Sequence, residues 1–374
     1  MKYNYFTYNG IVFVIKYDEN QRIFYKLDDG QLISLNEEET EIINDLMADK
    51  DGYIYFSEKL NKIVNSNKRI IVPESINILE VFNWFEKTIP KKYLDNFYSR
   101  LATLEMDLHL NAIYDKEILA SDYGKVNSAG GYNVLDNTII LNPKSVKVVY
   151  QIAQKTNNPI DFFYNEIIHT LIHELWHMAS SKHDWNSKVA LSGFDTYPTD
   201  NVAENNRGLT EGMTEFLATC ALPSRFELAN SYYFETCFII QLCVILDFNV
   251  LLDSYLENKG TKILEDRLTQ LGFDSSKAYE LFRNIQANYY LFNVDGKQNL
   301  LGNIQDSLLD YLDVVCALDN RKITLLDTYE KVLVTLEVIK GMNKKPDNYE
   351  GIDENIRRFK EIKSKYKTAD VVRN

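Results

Sequence analysis

Cysteine is scarce in this chain of 374 residues, and there is no sign of a secretion signal. The four cysteines include no C-x-x-C pair, which argues against a disulfide framework. The N-terminus has neither the apolar core nor the small-residue cleavage site of a signal peptide. We therefore expect a cytoplasmic protein whose cysteines are reduced core residues, namely Cys220, Cys237, Cys243 and Cys316.

Long apolar runs and excess positive charge are also missing. No run reaches the roughly 18 apolar residues of a transmembrane helix. The longest, Cys237–Leu246, is interrupted by Gln241 and predicts a buried helix. The net charge of −13 argues against nucleic-acid binding, which requires a concentrated basic surface. We expect neither a membrane nor a nucleic-acid partner, and the negative charge favours cationic or neutral substrates over acidic ones.

Internal repeats and low-complexity linkers are absent too, so the organisation must be taken from secondary-structure patterns. Alternating runs at Gly10–Tyr17 and Arg22–Leu27 predict strands, and a helix follows at Asn36–Met47. Further helices are predicted near 76–87, 90–108, 275–292, 303–317, 322–341 and 352–367. The chain then divides into a small, β-rich α+β unit at 1–75, a mixed unit at 76–260 and a helical region at 261–374.

Histidine is rare as well, yet two of the five histidines stand in the motif His173-Glu174-Leu175-Trp176-His177. On an α-helix these two histidines lie one turn apart, with Cβ atoms about 5–6 Å from each other. Two imidazoles at that spacing can bind one metal ion at about 2.0–2.1 Å, the usual Zn–N distance. Glu174 lies about 100° round the helix. It can accept a proton from a bound water without being a ligand, which is the mechanical basis of H-E-x-x-H.

The residues around this motif predict a long helix. Asn158 is a suitable N-cap and Pro159 a suitable first residue. Apolar residues then recur with a helical period as far as Ala179, which predicts a broad buried face. His169, one turn before His173, could extend the metal-binding face or line the cleft, but a structural or rim role fits it better. His109 also fits a structural role. The plainest alternative is a core helix whose histidines only make local hydrogen bonds.

A catalytic zinc site needs a third protein ligand, and two candidates compete. His183 falls at the last position of H-E-x-x-H-x-x-G-x-x-H, the metzincin pattern, but Ser180 stands where that pattern has glycine. A serine pays a steric cost in the sharp turn that glycine makes there. Met213 is a candidate for the methionine turn of the metzincin pattern, although a single methionine is weak evidence.

Glu211 fits the third position better. Residues Gly208–Cys220 predict a second helix, on which Glu211 and Glu215 lie one turn apart with both carboxylates on one face. One carboxylate can bind the metal while the other orients the free ring nitrogen of a ligand histidine. Gly212 would let this helix pack close to the first. The alternative for both glutamates is a solvated, acidic helix face.

These two motifs, within Gly130–Cys220, resemble those of the gluzincin zinc metallopeptidases. Their second helix carries N-E-G-x-x-E/D, and here Thr210 stands where asparagine is common. The resemblance implies that Zn²⁺ binds His173, His177 and Glu211, that Glu174 is the general base, and that Glu215 orients a ligand histidine. It implies a peptide or protein substrate and a zincin-like catalytic domain. Together with the secondary-structure patterns, this predicts an α+β fold in which that domain lies between a small N-terminal β-rich unit and a helical C-terminal region.

Other residues are candidates for the cleft. Residues Thr138–Leu141 predict a strand, preceded by Gly130 and Gly131. In metallopeptidases of this class an extended substrate pairs with such a strand, and Gly131 would allow close approach; an ordinary hairpin is the alternative. Tyr197 and Arg207 are candidate donors to the oxyanion of the transition state, although spacing fixes neither.

The sequence therefore predicts a zinc-dependent metallopeptidase. A rival hypothesis is a non-enzymatic binding or regulatory protein with a structural or vestigial metal site, which a fourth protein ligand would favour. A third is a zinc hydrolase that acts on non-peptide amides. The residues alone indicate metal-assisted hydrolysis, and peptide bonds as the substrate come from the resemblance.

Overall fold

The computed structural model describes residues 2–8, 11–18, 21–28, 31–37, 40, 78–119, 128–156, 159–184, 189–197, 206–221, 232–294, 300–342 and 351–373. The chain forms two compact units, Met1–Ala179 and Ser180–Asn374. The three-part division at 75 and 260 stays a prediction.

The first unit begins with a four-stranded antiparallel meander. Its strands, in spatial as well as chain order, are β1 (Lys2–Tyr8), β2 (Ile11–Asp18), β3 (Gln21–Asp28) and β4 (Gln31–Ser34). The alternating runs that predicted strands are confirmed as β2 and β3, which pair from Val12 with Leu27 to Asp18 with Gln21. The helix predicted at 36–47 falls largely outside the described residues.

The remainder of this unit is mixed. Its elements are α1 (Ile78–Thr88), α2 (Leu94–Leu101), β5 (Glu105–Asp107), β6 (Gly130–Asn133), β7 (Thr138–Leu141), α3 (Pro143–Ala153) and α4 (Pro159–Ala179). A cluster of aromatic rings joins the helices: the centroid of Phe85 on α1 lies 5.5 Å from that of Phe97 on α2 and 4.8 Å from that of Trp176 on α4. This core supports one face of α4.

The helix predicted over 90–108 is wrong in its second half. Helix α2 ends at Leu101, and Glu105–Asp107 forms β5, which pairs in parallel with β7. The reason is tertiary, because Glu105–Asp107 pairs with β7, which lies more than 30 residues further along the chain. The buried Asn137 also donates from Nδ2 to the carbonyl oxygen of Arg100 at 2.7 Å, which accepts from the backbone N–H of Thr103 as well.

Strands β5, β7 and β6 form a three-stranded sheet in that order, with β6 antiparallel to β7. The strand predicted at Thr138–Leu141 is confirmed as β7. The turn before it contains Asn137 in the left-handed region, with φ 51°, which asparagine tolerates better than most residues. Ile139 and Leu141 are buried, whereas Ile140 is exposed on the other face.

Helix α4 confirms the predicted helix of the His173–His177 motif, and it begins at Pro159 as expected. Its apolar face is buried from Phe163 to Ala179, including Ile167, Leu171, Leu175 and Met178. The carbonyl oxygen of the last residue, Ala179, accepts a hydrogen bond from Asn96 Nδ2 at 3.0 Å.

The second unit begins with a small antiparallel sheet that the sequence patterns did not predict. Its strands are β8 (Ser181–Asp184), β9 (Val189–Ser192) and β10 (Asp195–Tyr197), in the order β10-β9-β8. The predicted second motif helix follows as α5 (Arg207–Ala221).

The rest of this unit is helical. It contains α6 (Tyr233–Leu246), α7 (Phe248–Glu257), α8 (Lys262–Thr269), α9 (Ser275–Val294), α10 (Leu300–Leu318), α11 (Leu326–Met342) and α12 (Ile352–Arg373). The predicted C-terminal helices are confirmed, except that the one expected from 322 begins as a 3-10 helix, Asn320–Leu325, before α11. Helix α6 lies in the core, and in it Gln241 exchanges two hydrogen bonds, of 2.6 and 2.8 Å, with Gln305 of α10.

The broad α+β class is confirmed, with helix predominating and three small sheets in the described part of the chain. Among the described residues, no individual helix has the length and apolar character to cross a membrane. The bent pair α6 and α7, with 116° between them, would pass that test by length and composition alone.

Candidate metal centre

Helix α4 places His173 and His177 on one face with their rings turned to the same point. Their Nε2 atoms lie 3.2 Å apart, and the ring centroids are 4.9 Å apart with an interplanar angle of 67°. Two imidazole nitrogens that bind one ion at about 2.0–2.1 Å with a tetrahedral angle would be about 3.3 Å apart. The observed separation of the two Nε2 atoms is therefore compatible with a shared metal ion. It is equally compatible with a direct hydrogen bond between the two rings.

The Glu211 carboxylate completes a group of three. The metal-binding atoms of His173, His177 and Glu211 all lie within 4.8 Å of one another, and this group could hold a metal ion. His173 and Glu211 are buried, and His177 is half-buried. Two imidazole nitrogens and one carboxylate oxygen are a donor set that suits Zn²⁺ and leaves one position open. The residues thus fit the expected ion, although the geometry does not identify it.

The neighbouring acidic residues of the two motifs are buried as well. Glu174 is 5% exposed, and Glu215, one turn after Glu211 on α5, is 4% exposed. The alternative that Glu211 and Glu215 form a solvated acidic face is therefore wrong. Because burial of a carboxylate is costly without a partner, these side chains are expected to have specific roles. The hydrogen bond from Glu215 to a ligand ring stays a prediction.

Only the backbone is described for two of the predicted residues, His183 and Tyr197. His183 lies in β8 and Tyr197 in β10, and both pair with Ala190 of the central strand β9. Ser180, which ends the turn after α4, is not among the described residues with positive φ. The chain therefore leaves α4 without the left-handed turn that glycine makes in the metzincin pattern.

Arg207 lies directly beside the candidate ligand. Its Nε atom is 3.3 Å from Oε1 of Glu211, one turn further along α5. The Arg207 side chain is 46% exposed, whereas that of Glu211 is 7% exposed. The sequence suggested Arg207 as a group that acts on the substrate, and the structure shows it in contact with the predicted ligand carboxylate.

Glycines 130 and 131 have different surroundings. A Cβ on Gly130 would come within 3.2 Å of Thr170 Cγ2, so its small size allows β6 to pack on α4. A Cβ on Gly131 would have nothing within 4 Å. Only Gly131 therefore leaves the open space that was expected for a bound substrate.

Gly212 does allow a close helix contact, but the helix it approaches is α6. A Cβ on Gly212 would come within 2.7 Å of the backbone carbonyl of Glu235. The expected close packing of this glycine against the helix of His173 stays a prediction.

Two residues near Glu211 were missed by the sequence analysis. Burial, and then the negative charge of Glu211, raise the pKa of Glu235 to about 7, although its own backbone and the nearby Asn288 side chain act in the opposite direction. Burial, and then Glu211, raise the pKa of Tyr289 on α9 to about 12, while Arg207 lowers it. A carboxyl two residues before the apolar run Cys237–Leu246 was a signal that could have identified Glu235. Nothing in the sequence connects Tyr289 with the motifs.

His169 is 6% exposed on α4, which agrees with a structural role. In the described part of the chain, His173, His177 and Glu211 form the only cluster of three or more His, Cys, Asp or Glu side chains that could hold a metal.

No protein-family model, no curated protein and no solved structure matches this chain.

Proposed function

We propose that this chain is a zinc-dependent metallopeptidase of gluzincin type that hydrolyses peptide or protein substrates. The observation that carries the proposal is the His173–His177–Glu211 group, whose donor atoms fit a three-ligand zinc site with one open position. A zincin-like catalytic domain around α4 and α5 is part of the same proposal.

Zinc on these residues would supply Lewis acidity and lower the pKa of a coordinated water from 15.7 to about 7. Glu174 is the residue that moves the proton. Its carboxylate accepts the proton from the attacking water and then delivers it to the amine that leaves. Its buried position, next to His173 along α4, keeps the transfer away from bulk solvent.

The edge of β6 supports a peptide as the substrate. Asn142 N donates to the carbonyl oxygen of Ala129 at 2.8 Å, so the antiparallel ladder with β7 continues through every second residue of β6. Gly130 and Tyr132 therefore direct their N–H and C=O groups away from β7, towards the outer edge of this three-stranded sheet. An extended peptide can pair with that edge backbone to backbone.

Tyr289 is a candidate donor for the oxyanion, because its helix α9 contacts the first turn of α5, one turn before Glu211. Its electrostatic neighbours are Glu211, Arg207 and Glu235, and its pKa of about 12 keeps the phenol protonated at neutral pH. A protonated phenol can donate a hydrogen bond to the developing negative charge. Tyr197 stays a candidate from the sequence alone.

The test uses the full chain loaded with zinc and incubated with a mixture of unstructured peptides, with cleavage followed by mass spectrometry. We expect cleavage that a chelator abolishes and added zinc restores. Glu174→Gln should bind the same amount of zinc and cleave nothing, because the amide has the shape of the carboxylate but cannot take the proton.

Three outcomes would contradict the proposal or a part of it. Zinc binding with no hydrolysis of peptides or small amides would favour the binding or regulatory protein. Hydrolysis of small amides without cleavage of any peptide would favour a non-peptide amide hydrolase. Near-normal turnover by Glu174→Gln would remove the general-base role.

A further inference from the structure

Arg207 and Glu211 form an ion pair within α5 that the zinc motif does not require. The Arg207 Nε atom approaches Oε1 of the carboxylate at 3.3 Å, and the residues are spaced i and i+4 along the helix. An ordinary exposed pair of this spacing stabilises a helix only slightly. Here, however, the carboxylate is buried and is a member of the metal-binding group.

The first turn of α5, from which Arg207 extends, is fixed by α9. The backbone N–H of Gly208 donates to Oε1 of Gln286 at 2.9 Å. A Cβ on Gly208 would come within 2.8 Å of the Cβ of Tyr289, so the two helices are in close contact here. Tyr289 in turn stacks near Tyr232, with ring centroids 6.1 Å apart. Arg207 therefore starts from a rigid position, which limits where its guanidinium can reach.

We propose that Arg207 is a positioning residue that holds one carboxylate oxygen of Glu211, so that the other oxygen is presented to the metal ion. This proposal rests on the metal centre of the proposed function, but it does not require that the protein hydrolyses peptides. In this role Arg207 contacts the metal ligand Glu211, whereas the sequence suggested that it contacts the substrate.

Two effects of Arg207 on metal affinity oppose each other. The positive guanidinium repels a nearby cation, which weakens binding. Its hydrogen bond fixes the rotamer of Glu211, which lowers the entropy lost when the ligand is captured and so strengthens binding. The guanidinium is half-exposed, so its repulsion is reduced by solvent. Groups that orient ligands in this way typically change metal affinity by about 10–100-fold. We therefore expect orientation to exceed repulsion.

The experiment measures the zinc affinity of the full chain by competition with a chromophoric chelator. Arg207→Met keeps the apolar stem and the helix propensity but removes the hydrogen bond and the charge. We expect its zinc affinity to fall about 10-fold or more. Arg207→Lys should recover part of that loss, because an ammonium group can still hold the oxygen but lacks the planar fork.

Arg267→Ala is the matched control, because Arg267 is an exposed arginine on α8 whose Nη1 donates to Gln270. Its zinc affinity should equal that of the wild type. The visible absorption spectrum of the Co²⁺-loaded protein is a second readout. It should change in Arg207→Met and not in Arg267→Ala, since it reports the geometry of the ligands.

Equal or tighter zinc binding by a folded Arg207→Met protein, with an unchanged Co²⁺ spectrum, would overturn the proposal. A wild-type chain that binds no zinc would overturn it too. A chain that binds zinc with the expected difference but cleaves no peptide would contradict the proposed function and leave the role of Arg207 intact.

Discussion

The α-carbon of Gly212 approaches Glu235 so closely that a Cβ on this glycine would lie 2.7 Å from the backbone carbonyl of Glu235. This contact sets the distance between α5 and α6 next to the candidate ligand Glu211. Backbone atoms inside a helix cannot move aside as a flexible side chain can. The glycine of the Glu-Gly-x-x-Glu motif is therefore explained by packing against α6.

We expect Gly212→Ala to destabilise the protein by about 1–3 kcal/mol, the usual cost of overpacking. Alanine is the better helix former by about 1 kcal/mol, so the clash must exceed that gain. Urea unfolding of the metal-free protein measures the difference. Gly131→Ala is the control, because a Cβ there meets nothing within 4 Å. Stability equal to or above the wild type in Gly212→Ala would show that the helices can separate at little cost.

The third ligand can be identified from zinc content. After dialysis against a weak chelator, Glu211→Ala should retain much less zinc per chain than His183→Ala. The first substitution removes one of the three proposed protein ligands, whereas the second leaves all three in place. Elemental analysis of the purified variants gives the comparison. Full zinc in Glu211→Ala together with loss in His183→Ala would support the metzincin arrangement.

Glu215→Ala should weaken the centre without destroying it. Glu215 is buried one turn from Glu211 on α5, and a carboxylate that orients a ligand histidine typically contributes about 10–100-fold in metal affinity. Chelator competition measures the change, which should be smaller than that of Glu211→Ala. An unchanged affinity would mean that Glu215 serves the packing of α5 and not the ligands.

Glu235 should make the metal-free protein less stable as the pH rises. Its pKa is raised from 4.5 to about 7, so between these values the folded state holds a proton that the unfolded state has lost. Stability then falls with rising pH across that window and is level above it. At about 1.4 kcal/mol per pH unit, the full effect is roughly 3 kcal/mol.

Glu235→Gln should remove this dependence. Relative to the wild type, it should gain stability at pH 8 and little at pH 4, as measured by urea unfolding in the presence of a chelator. The control is Glu280→Gln, which changes an exposed glutamate on α9. A constant difference between Glu235→Gln and wild type over this pH range would show that Glu235 ionises at its ordinary pKa in the fold.

The sequence was most informative where a single local pattern determines the structure. Helix α4 was predictable because Pro159 marks its start and its apolar residues recur with one period to Ala179. Strand β7 was predictable because four apolar or β-branched residues follow a turn at Asn137. The metal motif required only that His173 and His177 share a helix, so it could be placed before any tertiary contact was known.

The features that were missed depend on residues far apart in the chain. Strand β5 follows α2 because it pairs with β7, and no pattern within 90–108 contains that information. Strands β8, β9 and β10 have only three or four residues each, too few to show an alternation. Glu211 affects the pKa of Tyr289 because α9 packs on α5. That packing is a property of the folded unit and not of any local pattern.

The paired amides of Gln241 and Gln305 determine which way α6 faces. Helix α6 is apolar almost all round, so hydrophobic burial alone would tolerate its rotation or its sliding by a turn. Either movement would separate the two amides and leave several buried donors and acceptors unsatisfied, each at a cost of about 1–3 kcal/mol. The pair therefore selects one rotational setting and one register of α6. That setting holds the backbone of Glu235 against Gly212, where the charge of Glu211 raises the pKa of Glu235, so a contact between α6 and α10 affects the electrostatic surroundings of the candidate metal ligand.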